Sequence, residues 1–277
     1  MKREHKMQLE INVVDAFTDT VFKGNSAAVV ITDNWLTDDL MQSIAFENNL
    51  SETGFIVSDD KNIYHIRWFS PFTEIAFCGH GTLASAFVLF NKNHTLTAIK
   101  FSAKAVGILT IVKTDSGKIQ MDFPNTKPEK VYDIPDSLLG GVSIVPIEVY
   151  RNEKAYFVVC ESESDVFNVE CDNEKLKELL PLNVVVTCQA ESDAYNHYDF
   201  ISRYFWSNNG GGEDPVTGSV HTGLAPLWAE RLGKNNLVAY QASRRGGVLD
   251  CVVAGDRVII SGHAVQYMTG FITIEES

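Results

Sequence analysis

Two apolar segments that open with glycine lie half a chain apart in this sequence, and their spacing limits the folds that the chain can adopt. Gly79 and Gly218 are 139 positions apart in a chain of 277 residues. Each follows a series of short strand-like segments and precedes a largely apolar segment, which is typical of a helix buried by a sheet. The economical interpretation is an internal duplication. Pro226 departs from the pattern, because proline removes a backbone donor and should kink the second helix or delay its start.

The composition is that of an ordinary globular protein, with 45% hydrophobic and 21% charged residues. A formal net charge of −13 argues against a nucleic-acid partner, although a locally positive site could still bind a small anion. Five widely spaced cysteines without a C-x-x-C pair argue against a disulfide framework or a zinc site and fit a reducing cytoplasm. No segment has the apolar length of a signal peptide or a membrane span, so we expect a soluble cytoplasmic protein without a membrane partner.

A helix that begins at a glycine exposes unpaired N–H groups and the positive end of its dipole, which together can bind an anion. The sequence has two such candidates, at Gly79-His80-Gly81-Thr82 and at Thr217-Gly218-Ser219. If a pseudo-twofold axis relates the two halves, both helix ends face one cleft and could hold a substrate carboxylate. The alternative is two strand-to-helix turns that need glycine for their backbone alone. The half-chain spacing of the two motifs weighs against that alternative.

Six motifs follow one another along the chain. They are N-V-V-D-A-F (12–17), G-N-S-A-A-V-V (24–30), L-S-E-T-G-F (50–55), R-W-F-S-P (67–71), C-G-H-G-T (78–82) and G-E-D-P-V-T-G-S (212–219). In this order they resemble the signatures of the PhzF-like family of phenazine-biosynthesis proteins. The resemblance implies an α+β protein of the diaminopimelate-epimerase-like fold, with two similar domains that are each a curled β-sheet wrapped around a central helix.

The domain boundaries follow from the resemblance and from a candidate linker. Residues 124–128 begin and end with proline, which is typical of a connecting segment. We therefore expect an N-terminal half-domain at residues 1–125 and a C-terminal half-domain at residues 129–267. In the implied fold the last strand, residues 268–277, returns to the first half. The resemblance also implies a homodimer.

The resemblance implies the site residues as well. Glu52 corresponds to the catalytic carboxylate that moves a proton, while His80 and Asp214 would polarise or hydrogen-bond the substrate. The substrate-binding residues that it implies are Ser51, Gly79, Gly81, Thr82, Gly218 and Ser219. A base that removes a C–H proton needs reach and a pKa tuned by burial, which Leu50 and Phe55 could supply. Without the resemblance, Glu52 would be a surface residue, His80 a turn histidine and Asp214 a loop cap.

Three functions are compatible with these residues. The first is a cofactor-independent isomerase of a small carboxylate-bearing metabolite, with Glu52 moving a proton in an interdomain cleft. The second is a non-catalytic protein that binds a small acid on the same scaffold and needs the helix ends but not the carboxylate. The third, a thiol-type epimerase, is disfavoured because Cys78 is the one cysteine near either helix start. No H-E-x-x-H motif or carboxylate cluster predicts a metal.

Overall fold

The structure, a computed structural model, describes residues 6–59, 63–206 and 212–275. The chain divides into two compact units, of which the first consists of Met1–Met121 with Gly262–Ser277 and the second of Asp122–Ser261. The C-terminal strand is therefore part of the first unit. Residues 276 and 277 of the predicted last strand lie outside the described residues. No helix among the described residues is long and apolar enough to cross a membrane.

Six helices and eighteen strands are found in the described residues. The helices are α1 (Asp38–Asn48), α2 (Gly79–Lys92), α3 (Asp136–Gly141), α4 (Glu163–Asn168), α5 (Asn173–Leu176) and α6 (His221–Leu232). The first nine strands are β1 (Lys6–Ala16), β2 (Asn25–Thr32), β3 (Glu52–Ser58), β4 (Ile63–Phe69), β5 (Glu74–Ile75), β6 (Ala98–Ala103), β7 (Gly107–Lys113), β8 (Ile119–Pro124) and β9 (Glu129–Lys130). The other nine are β10 (Glu148–Arg151), β11 (Ala155–Val159), β12 (Asn183–Gln189), β13 (Phe200–Trp206), β14 (Gly212–Asp214), β15 (Asn236–Gln241), β16 (Gly247–Ala254), β17 (Arg257–Gly262) and β18 (Ala264–Glu275).

The first unit is a mixed sheet that packs against α2. β1 pairs antiparallel with β18 and with β2, β2 pairs parallel with β3, and β3 pairs antiparallel with β4. β4 pairs antiparallel with β5 and parallel with β6, and β7 pairs antiparallel with both β6 and β8. α2 packs against β1, β2 and β3, and 11 of its 14 residues are buried. A helix buried on nearly every face is what its apolar and small residues predicted.

The second unit repeats this order strand for strand. β10 pairs antiparallel with β9 and β11, β11 pairs parallel with β12, and β12 pairs antiparallel with β13. β13 pairs antiparallel with β14 and parallel with β15, and β16 pairs antiparallel with both β15 and β17. α6 occupies the place of α2, between the short β14 and the parallel β15. The duplication that the half-chain spacing predicted is therefore present in the strand order.

One ion pair occurs in both units at matching positions. In the first unit Arg67 donates from Nε and Nη2 to the carboxylate of Glu74, at 2.7 and 2.6 Å. In the second unit Arg203 makes the same fork to Glu213, at 2.6 and 3.0 Å. Each guanidinium also lies over the phenylalanine ring two positions further along its strand, at 5.1 and 5.0 Å. The duplication thus extends from topology to individual side chains.

The first central helix begins at a glycine, as the sequence indicated. α2 starts at Gly79, with Cys78 as its N-cap. The Cys78 sulfur accepts the Gly81 N–H at 3.1 Å, and this cap lets the glycine-containing turn join the helix. As a result, His80 lies in the first helical turn rather than in a preceding loop.

Pro226 remains inside α6 because the chain supplies a substitute donor. Proline cannot donate to the carbonyl four positions before it, which is that of Thr222. The N–H of Thr126 donates to this carbonyl at 3.2 Å, and the hydroxyls of Thr126 and Thr222 are 2.6 Å apart. The predicted late start is not needed, since the orphaned acceptor finds its partner elsewhere in the second unit.

Candidate active site

Glu52 is the first residue of β3 and is almost completely buried. α1 ends at Asn48, and its C-cap Asn49 adopts the left-handed conformation with φ 48° before the chain turns into β3. Glu52 lies opposite Ala27 at the start of the parallel β2–β3 ladder. Only 3% of the residue is exposed, and Thr53 and Phe55, further along the strand, are each 1% exposed. An ionised carboxyl group buried to this extent costs free energy unless another polar group pairs with it.

His80 is that partner. It is the second residue of α2 and is 5% exposed, and its Nε2 lies 2.6 Å from Oε2 of Glu52. The distance is that of an ion pair, yet among the described residues no donor is aligned with Oε2 as in a regular hydrogen bond. A proton nevertheless lies between the two atoms, because two lone pairs at 2.6 Å would repel each other.

The environment of His80 raises its pKa well above the ordinary value. Burial alone would lower this pKa, but the contacts of the ring with Cys78 and with the Glu52 carboxylate raise it and outweigh burial. Burial, and then the charge of Glu52, raise the pKa of Cys78 to about 11. Cys78 is therefore a neutral thiol at physiological pH. The charge that keeps His80 basic is consequently that of Glu52.

Asn25 and Ser51 extend the pair on the side of the other ring nitrogen. Asn25 begins β2 and is fully buried, with its Nδ2 3.1 Å from Nδ1 of His80. Ser51 donates its hydroxyl to Oδ1 of Asn25 at 3.0 Å. Gly24 precedes Asn25 and fixes the backbone at this point. Its φ is +63°, and a Cβ added to it would lie 2.1 Å from the Ala16 carbonyl oxygen, so only glycine fits this position. The sequence interpretation predicted Ser51 as a site residue but missed the amide of Asn25.

Cys78 is a structural cap rather than a reacting thiol. Its Sγ lies 3.6 Å from Nδ1 and 3.8 Å from Nε2 of His80, so it is not on the lone-pair axis of either nitrogen. Only thiolates are good nucleophiles, and the raised pKa of this buried thiol leaves little thiolate. The geometry therefore weighs against the thiol-type epimerase.

Glu52, Cys78 and His80 are also the one group of three metal-binding side chains that lie within 4.8 Å of one another in the described part of the chain. Both ring nitrogens of His80 already face side chains, and Sγ does not point along either lone pair. A metal would have to displace these contacts. The arrangement fits a hydrogen-bonded network better than a metal site.

The start of α2 offers two N–H groups that have no acceptor among the residues that the structure describes. The N–H groups of Gly81 and Thr82 donate to the sulfur and the carbonyl of Cys78, at 3.1 and 3.0 Å. For Gly79 and His80, no acceptor within the described residues binds the N–H. Of the predicted substrate-binding residues here, Gly79 thus has a free donor, whereas Gly81 and Thr82 are bonded within the turn.

The predicted residues of the second unit also lie together. Asp214 ends β14 and accepts the hydroxyl of Thr217. Gln241, at the end of β15, accepts the Thr217 N–H and donates to the Asp214 carbonyl, both at 2.8 Å. Gly218 and Ser219 follow in the turn before α6, and within the described residues no acceptor binds either N–H. This group repeats the free donors of the first unit.

The duplication places different residues at the positions of the buried pair. Asn183 lies opposite Ala155 at the start of the parallel β11–β12 ladder, as Glu52 does opposite Ala27 in the first unit. Ser219 follows Gly218 as His80 follows Gly79. The two units therefore share a scaffold, while the carboxylate and imidazole pair belongs to the first.

Comparisons with known proteins agree with this architecture. The sequence profile of the PhzC-PhzF family, described as phenazine biosynthesis-like protein, matches residues 14–270. An uncharacterised isomerase of Pseudomonas aeruginosa is 45% identical over 264 residues, which cover 95% of this chain and 98% of the relative. A crystal structure of a PhzF-family phenazine biosynthesis protein from Enterococcus faecalis has a TM-score of 0.89 at 40% identity, covering 96% of this chain and 99% of that one.

A more distant structure shows how widely the fold is used. A hydroxyproline epimerase from Agrobacterium vitis has a TM-score of 0.58 at 10% identity, covering 99% of this chain and 94% of that one, and it shares the fold alone. The predicted α+β class and diaminopimelate-epimerase-like fold are confirmed by these neighbours. This chain belongs to the PhzC-PhzF family of phenazine biosynthesis-like proteins and is an isomerase.

Proposed function

We propose that this protein is a cofactor-independent isomerase in which Glu52 moves a proton within a small, carboxylate-bearing metabolite. The observation that carries the proposal is the buried contact of 2.6 Å between Glu52 and His80. A surface carboxylate would not need an imidazole partner, and a purely structural ion pair is seldom buried as completely as this one, with residues 3% and 5% exposed.

The chemistry suits such a pair. A proton on carbon is weakly acidic, so its removal needs a base that is close and poorly solvated. Glu52 meets the second condition by burial, and His80 can share the proton once it has been taken up. A single base on one side of the substrate removes the proton from one carbon and returns it to another, which moves a double bond and leaves no net change in atoms.

A carboxylate on the substrate would find donors at the start of α2. The free N–H groups of Gly79 and His80 lie at the positive end of a 14-residue helix, where an anion is stabilised. The same helix end would hold the substrate within reach of the pair. The participation of Asp214, Gly218 and Ser219, which belong to the second unit, stays a prediction.

A protein that only bound a small acid would use the helix end without the buried pair. Burying a glutamate next to a histidine costs free energy that binding alone does not require. The presence of the pair therefore favours an enzyme.

The experiment that tests the proposal does not require the substrate to be known. The protein is incubated in heavy water with pools of small carboxylic, amino and hydroxy acids, and each pool is analysed by mass spectrometry. We expect one class of carboxylate to gain deuterium on carbon, because a proton held by Glu52 exchanges with solvent before it returns. Heat-denatured protein is the control, and pools that exchange no faster with native than with denatured protein would argue against a proton-transfer enzyme.

A further inference from the structure

The side chain of Asn25 bridges His80 and Ser51 in the buried interior of the first unit. A side-chain amide has a donor, Nδ2, and an acceptor, Oδ1, and these two atoms exchange places when the group rotates by 180°. Nδ2 faces Nδ1 of His80 at 3.1 Å, and Oδ1 accepts the Ser51 hydroxyl at 3.0 Å. The residue is 0% exposed, so its amide is shielded from bulk solvent.

The position of the amide determines how many protons the neighbouring pair holds. One proton lies between His80 Nε2 and Glu52 Oε2, because their distance is 2.6 Å. If Nδ2 of Asn25 donates to His80 Nδ1, this nitrogen has a free lone pair and carries no proton. The ring is then neutral with its proton on Nε2, Glu52 is a carboxylate, and the pair holds one proton.

Rotation of the amide by 180° gives the other state. Oδ1 of Asn25 then accepts a hydrogen bond from Nδ1–H of His80, and Nδ2 donates a hydrogen bond to the Ser51 oxygen. A hydroxyl can both donate and accept, so Ser51 is satisfied in either orientation. In this state the pair holds two protons, one on Nδ1 and one between Nε2 and Oε2. The two amide orientations thus differ by one proton on the pair.

We infer that Asn25 is a positioning residue whose amide fixes the Nε2–H tautomer of His80 and rotates when the Glu52–His80 pair takes up a second proton. The Nε2–H tautomer directs the imidazole proton at Glu52 and leaves this group an ionised carboxylate that can accept a proton from the substrate, so this part of the inference rests on the proposed function. Glu52 takes the proton from a substrate carbon, holds it as a carboxylic acid while His80 keeps its own proton on Nε2, and returns it to another carbon. Glu52 on β3 and Cys78 at the start of α2 are the titratable groups that act on His80.

The test is a pH titration followed by nuclear magnetic resonance of protein labelled with ¹⁵N in histidine. The chain has seven histidines, and the His80 signals are assigned from their loss in His80→Gln. As the pH rises, we expect His80 to lose its proton from Nδ1 and to keep Nε2–H. The side-chain NH₂ signals of Asn25 should shift with the same midpoint, since the amide reverses its orientation in that step.

Two aspartate variants sharpen the result. A carboxylate in Asn25→Asp accepts but cannot donate, so it should hold the proton on Nδ1 and raise the midpoint of His80 by about one pH unit or more. The matched control is Asn48→Asp, because the Asn48 amide contacts Thr53 at 3.1 Å and not His80. We expect its His80 midpoint to equal that of the unmodified protein.

Three outcomes would overturn the inference: a neutral His80 with its proton on Nδ1, Asn25 signals that do not follow the titration, or an Asn25→Asp midpoint equal to that of the control. If Asn25→Asp does not fold, the titration of the unmodified protein still decides between the two tautomers. None of these measurements depends on turnover. Full activity in a Glu52 variant would therefore refute the proposed function while leaving the assignment of the tautomer to the resonance data.

Discussion

His221 and His80 are both buried imidazoles, but their surroundings move their pKa values in opposite directions. Burial lowers the pKa of His221 to about 4, although a hydrogen bond to the Thr217 carbonyl, 2.8 Å from Nδ1, partly offsets it. Glu52 has the opposite effect on His80, whose pKa is raised well above the ordinary value. His221 is therefore neutral at physiological pH, whereas His80 favours the protonated form. The difference is the carboxylate of Glu52 beside His80.

The neutral state of His221 predicts a loss of stability in acid. The unfolded chain takes up a proton at the ordinary histidine pKa near 6.5, whereas the folded state resists it until about pH 4. The stabilising effect is thus complete above pH 6.5 and is lost as the pH falls towards 4, by up to about 3 kcal/mol. Urea unfolding between pH 7 and pH 4 measures this loss.

We expect the loss to be smaller in His221→Gln than in the unmodified protein. The exposed His94 provides the control, because His94→Gln should leave the slope of stability against pH unchanged. A slope in His221→Gln equal to that of the unmodified protein would mean that His221 is not buried as a neutral group.

The contacts among the predicted site residues follow unequally from the sequence. Glu52, His80 and Ser51 could be singled out as candidates because they lie in short motifs whose resemblance to a family could be recognised. Asn25 lies in such a motif too, but its contact with His80 joins positions 55 residues apart. No local pattern encodes that distance, since it depends on how β2 and α2 pack.

At the scale of elements, the close packing at the start of α2 depends on Gly81. A Cβ added there would lie 2.9 Å from the Cys78 sulfur and 3.0 Å from Cδ1 of the buried Trp68. Both neighbours are confined, because Cys78 caps the helix and Trp68 is 1% exposed. The glycine therefore lets the helix end approach β4 closely.

Gly81→Ala should lower the free energy of unfolding by about 1–2 kcal/mol, because the overpacking outweighs the better helix propensity of alanine. Gly270→Ala is the control, since a Cβ at Gly270 meets nothing within 4 Å. Its change should remain within about 0.5 kcal/mol. Equal unfolding midpoints in guanidinium for the two variants would show that the helix start has room to adjust.

The central helices were predicted more reliably than the contacts that stabilise them. The pattern of apolar and small residues indicated both central helices and their starts at glycine, although glycine has a low helix propensity. It did not indicate the Cys78 cap of α2, because a sulfur cap has no clear signal in sequence. In α6, the donor from Thr126 that replaces the one lost at Pro226 comes from a segment far away in the chain.

At the scale of the whole molecule, the duplication has retained the scaffold and changed the chemistry. Both units have the same strand order and the same arginine–glutamate fork, yet Asn183 and Ser219 stand where the first unit has Glu52 and His80. Under the proposed function, the single carboxylate–imidazole pair of the first unit would move the proton on one face of a substrate.

The spacing of the two glycines predicted this duplication, and the six motifs predicted the fold. The strand partners could not be predicted in the same way. Parallel pairs such as β4–β6 and β13–β15 join segments separated by a whole helix, and their register depends on packing against that helix.

The central claim is that Glu52 transfers the proton, and the most direct measurement is the rate of carbon-bound deuterium exchange in Glu52→Gln. Glutamine keeps the size of the side chain but cannot act as a base, so we expect the rate to fall by about 10²-fold or more while circular dichroism shows an intact fold. Glu74→Gln removes a carboxylate from the same unit at a distance from the pair and should keep the rate within a few-fold. A Glu52→Gln protein that exchanges deuterium as fast as Glu74→Gln would contradict the account.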